Sequence, residues 1–282
     1  MRSLLLAGFL AGAWTARTQT PVPAEFTVKQ FKPDLFVIEG TSNGSGDVGN
    51  VTIYVTGEGV ILVDDRFEQE YAATLATVRK VTSEPVKYIF STHHHGDHTG
   101  GNPHFLPGVE IIAQANARRH MVDGKMPGIP RVSFTQEASV FLGGKEVRAI
   151  YNGRGHTDGD VAVFFPQARA VALGDLMAGT NGVTNPVMDY ASGGSIKSWP
   201  ATLDGSLKLE VDTVIPGHGA VTNKAGLQAH REKVAAILKR ATQLVGAKTS
   251  KDEMTRLLVA EFDYKPINLR GLDGMMAELQ AK

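Results

Sequence analysis

Ser91 to Gly101 reads Ser-Thr-His-His-His-Gly-Asp-His-Thr-Gly-Gly. His93, His95, Asp97 and His98 within it are of the types that bind transition metals, and imidazole with carboxylate suits zinc. Residues two apart in an extended segment point the same way, so His93 and His95 can reach one ion together. Asp97 and His98 follow Gly96, where the chain is free to bend. They fall to one side, suited to a second ion beside the first. A histidine-rich surface loop is the plain alternative. Such a loop has no reason to include Asp97 or to follow the apolar run Val86-Lys87-Tyr88-Ile89-Phe90, which reads as a buried strand.

His156, Asp175 and His218 stand beside glycines, in Gly155-His156-Thr157, Gly174-Asp175 and Gly217-His218-Gly219. Each alone reads more readily as a turn residue. Together they gain weight, because each follows a predicted strand and strand ends share one edge of a sheet. His94 alternates away from its neighbours and reads as wall or supporting residue. His104, His120 and His230 read as solvated or packed histidines.

The elements that must position these groups follow from pattern. Phe26 to Glu39 reads as one strand, with Leu35-Phe36-Val37-Ile38 as its apolar part, and Thr41 to Asn50 as a glycine- and serine-rich loop. Residues 51–55 and 59–63 form a hairpin through Gly57-Glu58-Gly59, which delivers Asp64. Residues 68–81 place Tyr71, Leu75 and Val78 at helical spacing. The histidine-bearing strand comes next, then a short strand at 111–113, a helix at 116–122 and a loop at 123–130 that is either a flap or a connector. In the second half, strands are expected at 147–151, 161–165, 170–173 and 211–215. Ser198 is the expected cap of a helix that tolerates Pro200 in its first turn and buries Trp199, Leu203 and Leu207. From 225 onward the chain reads as helical, with Val234, Ile237, Leu238 and Leu244 on one face.

Hydrophobic residues make up 42% of the 282 and charged residues 21%, which implies an ordinary core. Formal net charge is +0, without the basic excess of a nucleic-acid binder. Cysteine is absent, which excludes disulfides, a thiolate nucleophile and cysteine-ligated metal. Arg2 precedes an apolar run from Leu4 to Trp14 that is too short to span a bilayer, and Ala11-Gly12-Ala13 supplies small residues. This is the pattern of a secretory signal over residues 1–20. The expectation is a periplasmic or secreted protein with no integral membrane segment after signal removal, in which 21–282 form one domain with a helical C-terminal segment over 225–282.

From about Phe26 to about His230 the sequence resembles the metallo-β-lactamase superfamily. His93-x-His95-x-Asp97-His98 matches its signature motif, and His156 in Gly-His-Thr-Asp-Gly-Asp matches its third histidine. Asp175 in Leu-Gly-Asp and His218 in Pro-Gly-His-Gly match its bridging carboxylate and last histidine. Asp64 matches the acid that supports the site from behind. The resemblance implies an α/β fold, a four-layer αββα sandwich of two mixed sheets flanked by helices, with the metal site at one edge. It implies one zinc on His93, His95 and His156, a second on Asp97, His98 and His218, and Asp175 between them. Iron and manganese are alternative occupants.

Charge counting adds a substrate preference. Two Zn²⁺ bring four positive charges; Asp97, Asp175 and a bridging hydroxide remove three, and neutral imidazoles remove none. The loaded site keeps about one positive charge and should favour small-molecule substrates that carry or develop negative charge. Zinc lowers the pKa of bound water from about 15.7 to roughly 7, so hydroxide is available without a nucleophilic side chain. The expected reaction is attack on an activated carbonyl, β-lactam or lactone, with Asp97 orienting the nucleophile or taking its proton.

Three likenesses within the superfamily bear on the substrate. The histidine-rich β-lactamase subclass fits His98 and the export signal but generally lacks a carboxylate at the place of Asp175. Thr92 to Gly101 closely resembles glyoxalase II, a thioesterase. The acyl-homoserine lactonases share the ligand set but carry a tyrosine where this chain has Ala178. A phosphodiesterase or arylsulfatase, an iron-dependent oxygenase and a non-catalytic metal-binding protein are the further alternatives.

Overall fold

A computed structural model describes residues 26–40, 48–180 and 183–281. The expected export signal lies outside the described residues, as does most of the glycine-rich stretch before Asn50. The first sheet contains β1 (Val28–Lys32), β2 (Leu35–Ile38), β3 (Val51–Val55), β4 (Val60–Val63), β5 (Val86–Ser91), β6 (Glu110–Gln114) and β7 (Val132–Phe134), in that spatial order. Strands β1 to β4 run antiparallel, and β4 to β7 run parallel. The second sheet has the order β14-β11-β10-β9-β8, built from β8 (Glu137–Leu142), β9 (Lys145–Ile150), β10 (Ala162–Phe165), β11 (Ala170–Ala172) and β14 (Thr213–Ile215). Its β11 and β14 are parallel and the remaining pairs antiparallel. A small hairpin, β12 (Gly179–Thr180) and β13 (Val183–Thr184), lies outside both sheets.

Side chains alternate across a strand, and here both faces of the central strands find apolar cover. From the first sheet, Val37, Ile61, Val63 and Phe90 face the second sheet's Val147, Val163, Phe165 and Ala172. Their neighbours Ile38, Val60, Leu62 and Ile89 face outward, onto α1 (Tyr71–Val81) through Ala73 and Val78. On the far side, Ala162, Phe164, Val171 and Val214 meet α5 (Trp199–Leu207), α6 (Lys224–Gly246), α7 (Lys251–Phe262) and α8 (Leu272–Gln280). The result is helix, sheet, sheet, helix. The short α2 (Gly96–Thr99), α3 (Asn102–Phe105) and the longer α4 (Ala115–Asp123) follow β5 and β6.

Several expectations need correction. The segment from Phe26 to Glu39 is two strands, because Pro33 and Asp34 make a turn and Leu35 pairs back with Lys32. Between residues 130 and 147 the sequence reading has no element, whereas β7 and β8 are there; β8 alternates buried Val140 with Phe141, which is 71% exposed. Helix α1 begins at Tyr71 after a 3-10 turn over Glu68–Glu70, and it buries Ala73, Thr74, Thr77 and Val78 more deeply than Leu75. Ser198 does not cap α5. Its own backbone is helical, and its N–H donates to Ser195 Oγ at 3.1 Å, so Ser195 supplies the cap. The 123–130 loop is a connector: Gly128 packs against Asn102 and Pro103, and none of the loop lines the cavity described below.

Candidate metal centre

The functional side chains come from strand ends at one edge of the sandwich. Asp64 follows β4, and His93 to His98 follow β5, the strand parallel to β4. His156 lies between β9 and β10, Asp175 just after β11, and His218 just after β14. Parallel pairing of β11 with β14 brings the last two together. Tight backbone approach completes this. A Cβ on Gly217 would stand 2.2 Å from Asp175 Oδ1, and one on Gly174, where φ is +50°, would stand 2.3 Å from Thr92 Oγ1. Asp64 itself has φ of +62°, a costly conformation for a non-glycine residue, held because its carboxylate is bound on both oxygens.

All seven expected ligands converge. Nitrogen or oxygen atoms of His93, His95 and His156 lie within 4.8 Å of one another, as do those of Asp97, His98 and His218, and those of His93, His98 and Asp175. His156 Nε2 is 2.9 Å and His93 Nε2 3.1 Å from His95 Nδ1. His98 Nε2 is 3.2 Å from His218 Nε2. Asp97 Oδ2 lies 3.2 Å from His218 Nε2 and 3.4 Å from His98 Nε2, and Asp175 Oδ1 lies 3.3 Å from each. The other oxygen of Asp175 is 3.6 Å from His156 Nε2, so this carboxylate touches both groups.

The outward-facing atoms fix the tautomers. His156 Nδ1 donates to the Val187 carbonyl and His95 Nε2 donates to Asp189 Oδ2 at 3.0 Å. Thr92 Oγ1 gives its proton to Asp64 Oδ2 at 2.8 Å, so it accepts from His93 Nδ1 at 3.1 Å. His98 Nδ1 donates to Asp64 Oδ2 at 2.8 Å. With those protons pointing away, the inward nitrogens of His93, His95 and His156 carry lone pairs aimed at one another and at the Asp175 carboxylate. Lone pairs at such separations repel unless a cation lies among them. The donor set therefore fits metal, and the tautomer-fixing partners are those expected behind metal-bound imidazoles.

Charge placement agrees. Burial alone would raise the pKa of Asp97, but His98 and His218 outweigh it and hold the carboxyl well below the usual range. Burial likewise opposes ionisation of Asp175, and His218 and His98 again win. Burial, with help from His98, holds the His93 ring neutral, and burial does the same for His156. Ionised carboxylates and the neutral rings of His93 and His156 are the forms a metal requires; the same carboxylates raise the pKa of His98 and His218 against burial, so an ion binding there would displace protons from those two rings.

Asp64 occupies the supporting position expected of it; the Thr92 N–H also donates to its Oδ1 at 2.8 Å. His94 contacts Ser192 Oγ at 3.2 Å, stacks on His120, and packs against the His95 ring with centroids 4.6 Å apart, within 4.8 Å of His95 and Asp189. His120 binds Asp158 at 2.8 Å, and His104 stacks on Tyr71. His230 is buried and donates to the Leu176 carbonyl at 3.0 Å, the same oxygen that receives Trp199 Nε1–H at 3.0 Å. Two donors thus pin the residue after Asp175. Asp189, Val187 and Ser192 have no place in the sequence reading. Only the pairing of an acid with a distant histidine marks Asp189, and sequence does not display that pairing.

The mouth opens into a cavity of about 250 Å³. Its floor includes His95, Asp97, His156, Asp175 and His218, and its outer wall comes from the segment joining α7 to α8. Tyr264 of that segment donates from its hydroxyl to the Pro186 carbonyl at 2.9 Å, and Asn185 Nδ2 donates to the Asp263 carbonyl at 3.0 Å. Gly271 and Gly274 sit so close to Met188 O and the Tyr190 ring that a Cβ would come within 2.5 Å and 2.4 Å of them.

Residues 44–218 match the family model described as the metallo-beta-lactamase superfamily. Metallo-beta-lactamase IND-1 of Chryseobacterium indologenes is 29% identical over 185 residues, covering 64% of this chain and 75% of that protein. Atrochrysone carboxyl ACP thioesterase AacuM of Aspergillus aculeatus is 23% identical over 236 residues, 81% of this chain and 69% of that one. Among solved structures, a metallo-beta-lactamase from Pontibacter korlensis superposes with a TM-score of 0.63 at 23% identity, covering 74% of this chain and 99% of its own.

Proposed function

The chain belongs to the metallo-beta-lactamase superfamily and is a metal-dependent hydrolase, and within that class we propose that it holds two zinc ions and cleaves an activated carbonyl compound, a β-lactam or lactone, outside the cytoplasm. One observation carries the two-metal reading: Asp175 presents one oxygen to His98 and His218 and the other to His156. The export reading is supported by the N-terminal sequence pattern. Among the described residues no helix is long and apolar enough to cross a membrane. One domain over 21–282 is the organisation this reading takes.

His93 Nε2, His95 Nδ1 and His156 Nε2 would hold one ion. Asp97, His98 and His218 would hold the other, with Asp175 shared. Bound zinc supplies a water whose pKa falls from about 15.7 to roughly 7, and a Lewis acid for the carbonyl oxygen. The chain's own residues do the rest. Asp97, with 21% of its side chain exposed against 13% for Asp175, is the more open carboxylate and is the group placed to orient the nucleophile and receive its proton. Asp64 and Asp189 fix the ring nitrogens that face inward. Trp199 and His230 hold the strand end that carries Asp175.

A thioester substrate is the second reading. It is favoured by the thioesterase relative and by Asp175, which the histidine-rich lactamase subclass generally lacks. A panel of a chromogenic cephalosporin, simple lactones and thioesters, each with and without chelator, decides between them. Activity confined to a nitrophenyl phosphodiester or sulfate, or no chelator-sensitive turnover of any carbonyl substrate, rejects both.

A further inference from the structure

Lys265 and Arg270 line the cavity above the candidate ligands, and both are exposed. Neither forms an ion pair with any described residue. Four other cations of the C-terminal helices are matched. Arg231 pairs with Asp204 at 2.7 Å, Arg240 with Glu261 at 2.7 Å, Arg256 with Glu253 at 2.6 Å and Lys251 with Asp273 at 2.6 Å. The two cations at the mouth are thus left uncompensated on a surface where these four are matched.

Their position is built. Each stands beside a buried anchor: Tyr264 is 3% exposed and Leu269 5%. Those anchors, with the Tyr264–Pro186 bond, seat the segment on the loop that carries Val187 and Asp189. One carboxylate of the segment, Asp263, also lines the cavity, but it borders the adjoining cavity too, where it acts on Lys233. Asn185 lines the same wall as the cations. It is buried, its Nδ2 is committed to the Asp263 carbonyl, and its Oδ1 has no partner among the described residues. The wall therefore offers two positive charges against the one carboxylate of Asp263, and one free acceptor.

We propose that Lys265 and Arg270 form an anion-binding wall, so that the preferred substrate is a carbonyl compound bearing a carboxylate remote from the bond that breaks. Asn185 Oδ1 accepts from an N–H or O–H of the same molecule. The proposal rests on the carbonyl-hydrolase reading for its chemistry. It goes beyond that reading by assigning specificity to residues outside the 44–218 span that matches the family. Exposed ion pairs are individually weak, so the pair together is expected to contribute about fivefold, and salt should erode it.

The test uses the full chain loaded with zinc and two matched pairs of probes. Calorimetry compares 3-mercaptopropanoate with 3-mercaptopropanamide, which share a thiol anchor and differ in charge. Kinetics compares mono-4-nitrophenyl succinate with 4-nitrophenyl acetate. In the Lys265→Ala/Arg270→Ala protein the acid-to-amide affinity ratio and the charged-to-neutral kcat/KM ratio should each fall about fivefold, and Lys265→Glu/Arg270→Glu should lower them further. Ratios that stay constant across the three proteins overturn the proposal. If neither ester is hydrolysed, the thiol pair alone decides the anion-binding wall, and the carbonyl reading is judged on the cephalosporin, lactone and thioester panel.

Discussion

Asp189 Oδ2 accepts from His95 Nε2 at 3.0 Å, across 94 residues of sequence, and so turns His95 Nδ1 toward His93 and His156. The bond also holds the Asp189 carboxyl well below the usual carboxylate range. The other oxygen of Asp189 is engaged as well, because Oδ1 accepts from the N–H groups of Ala191 and Ser192 at 3.1 and 3.2 Å. Replacing Asp189 with alanine should weaken zinc binding by about 10–100-fold, the usual loss when a partner behind a metal-bound histidine is removed. Asp189→Asn keeps an acceptor and should lose less. Competition with a chromophoric chelator measures both, and equal, undiminished affinity in the two variants contradicts the assigned role.

Gly217→Ala is expected to act on Asp175 without touching any ligand by mutation. The new methyl would lie 2.2 Å from Asp175 Oδ1 and 2.5 Å from the Gly174 carbonyl carbon, closer than real contacts allow. The carboxylate must move, and the shared position is lost. Elemental analysis should show zinc content dropping from about two per chain toward one, the number of metals in a two-metal site being the reference. Circular dichroism on the same sample checks that the sheets persist.

Acid stability should depend on His230. Burial lowers its pKa to about 4 from the usual 6.5, so the unfolded chain binds a proton at pH 5 that the folded chain refuses. Stability from this residue is complete above pH 6.5 and is lost as pH falls toward 4. The full difference amounts to about 3 kcal/mol. His230→Gln keeps an N–H for Leu176 but does not titrate. Urea unfolding of metal-free protein at pH 7.5 and 4.5 should therefore show a smaller acid loss in the variant, and identical losses would contradict the prediction.

Tyr264→Phe removes one hydrogen bond, to Pro186 O, and should cost about 1–2 kcal/mol, or roughly 2–4 °C in Tm. Pro186 precedes Val187, whose carbonyl receives His156 Nδ1–H. The same variant should therefore bind zinc more weakly, even though Tyr264 touches no ligand. Thermal shift measured with and without zinc separates the two effects.

The convergence of the candidate ligands was legible because their chemistry is written in scarce residue types at fixed spacing: histidines two apart, an aspartate past a glycine, and glycine-flanked acids and imidazoles after apolar runs. The central strands were legible for a different reason. Both of their faces are covered, so they appear as continuous apolar stretches. Readability failed where tertiary partners decide. Leu35 to Ile38 belongs to a hairpin only because Pro33 and Asp34 turn the chain; β8 carries polar residues and exposed Phe141 on its outer face. Ser198 looks like a cap, yet Ser195 does that work through a fold in the chain before the helix. Asp189 and Val187 sit in a stretch with no period, and one of them acts through its backbone, which no side-chain pattern records.

The clasp between the α7–α8 segment and residues 185–190 means that residues beyond Phe262 would splint a candidate chelate whose donors all lie before Gly219. A protease nick in this tail would spare every donor atom and still leave a slack cage. Metal retention would then gauge whether the α7–α8 segment is seated.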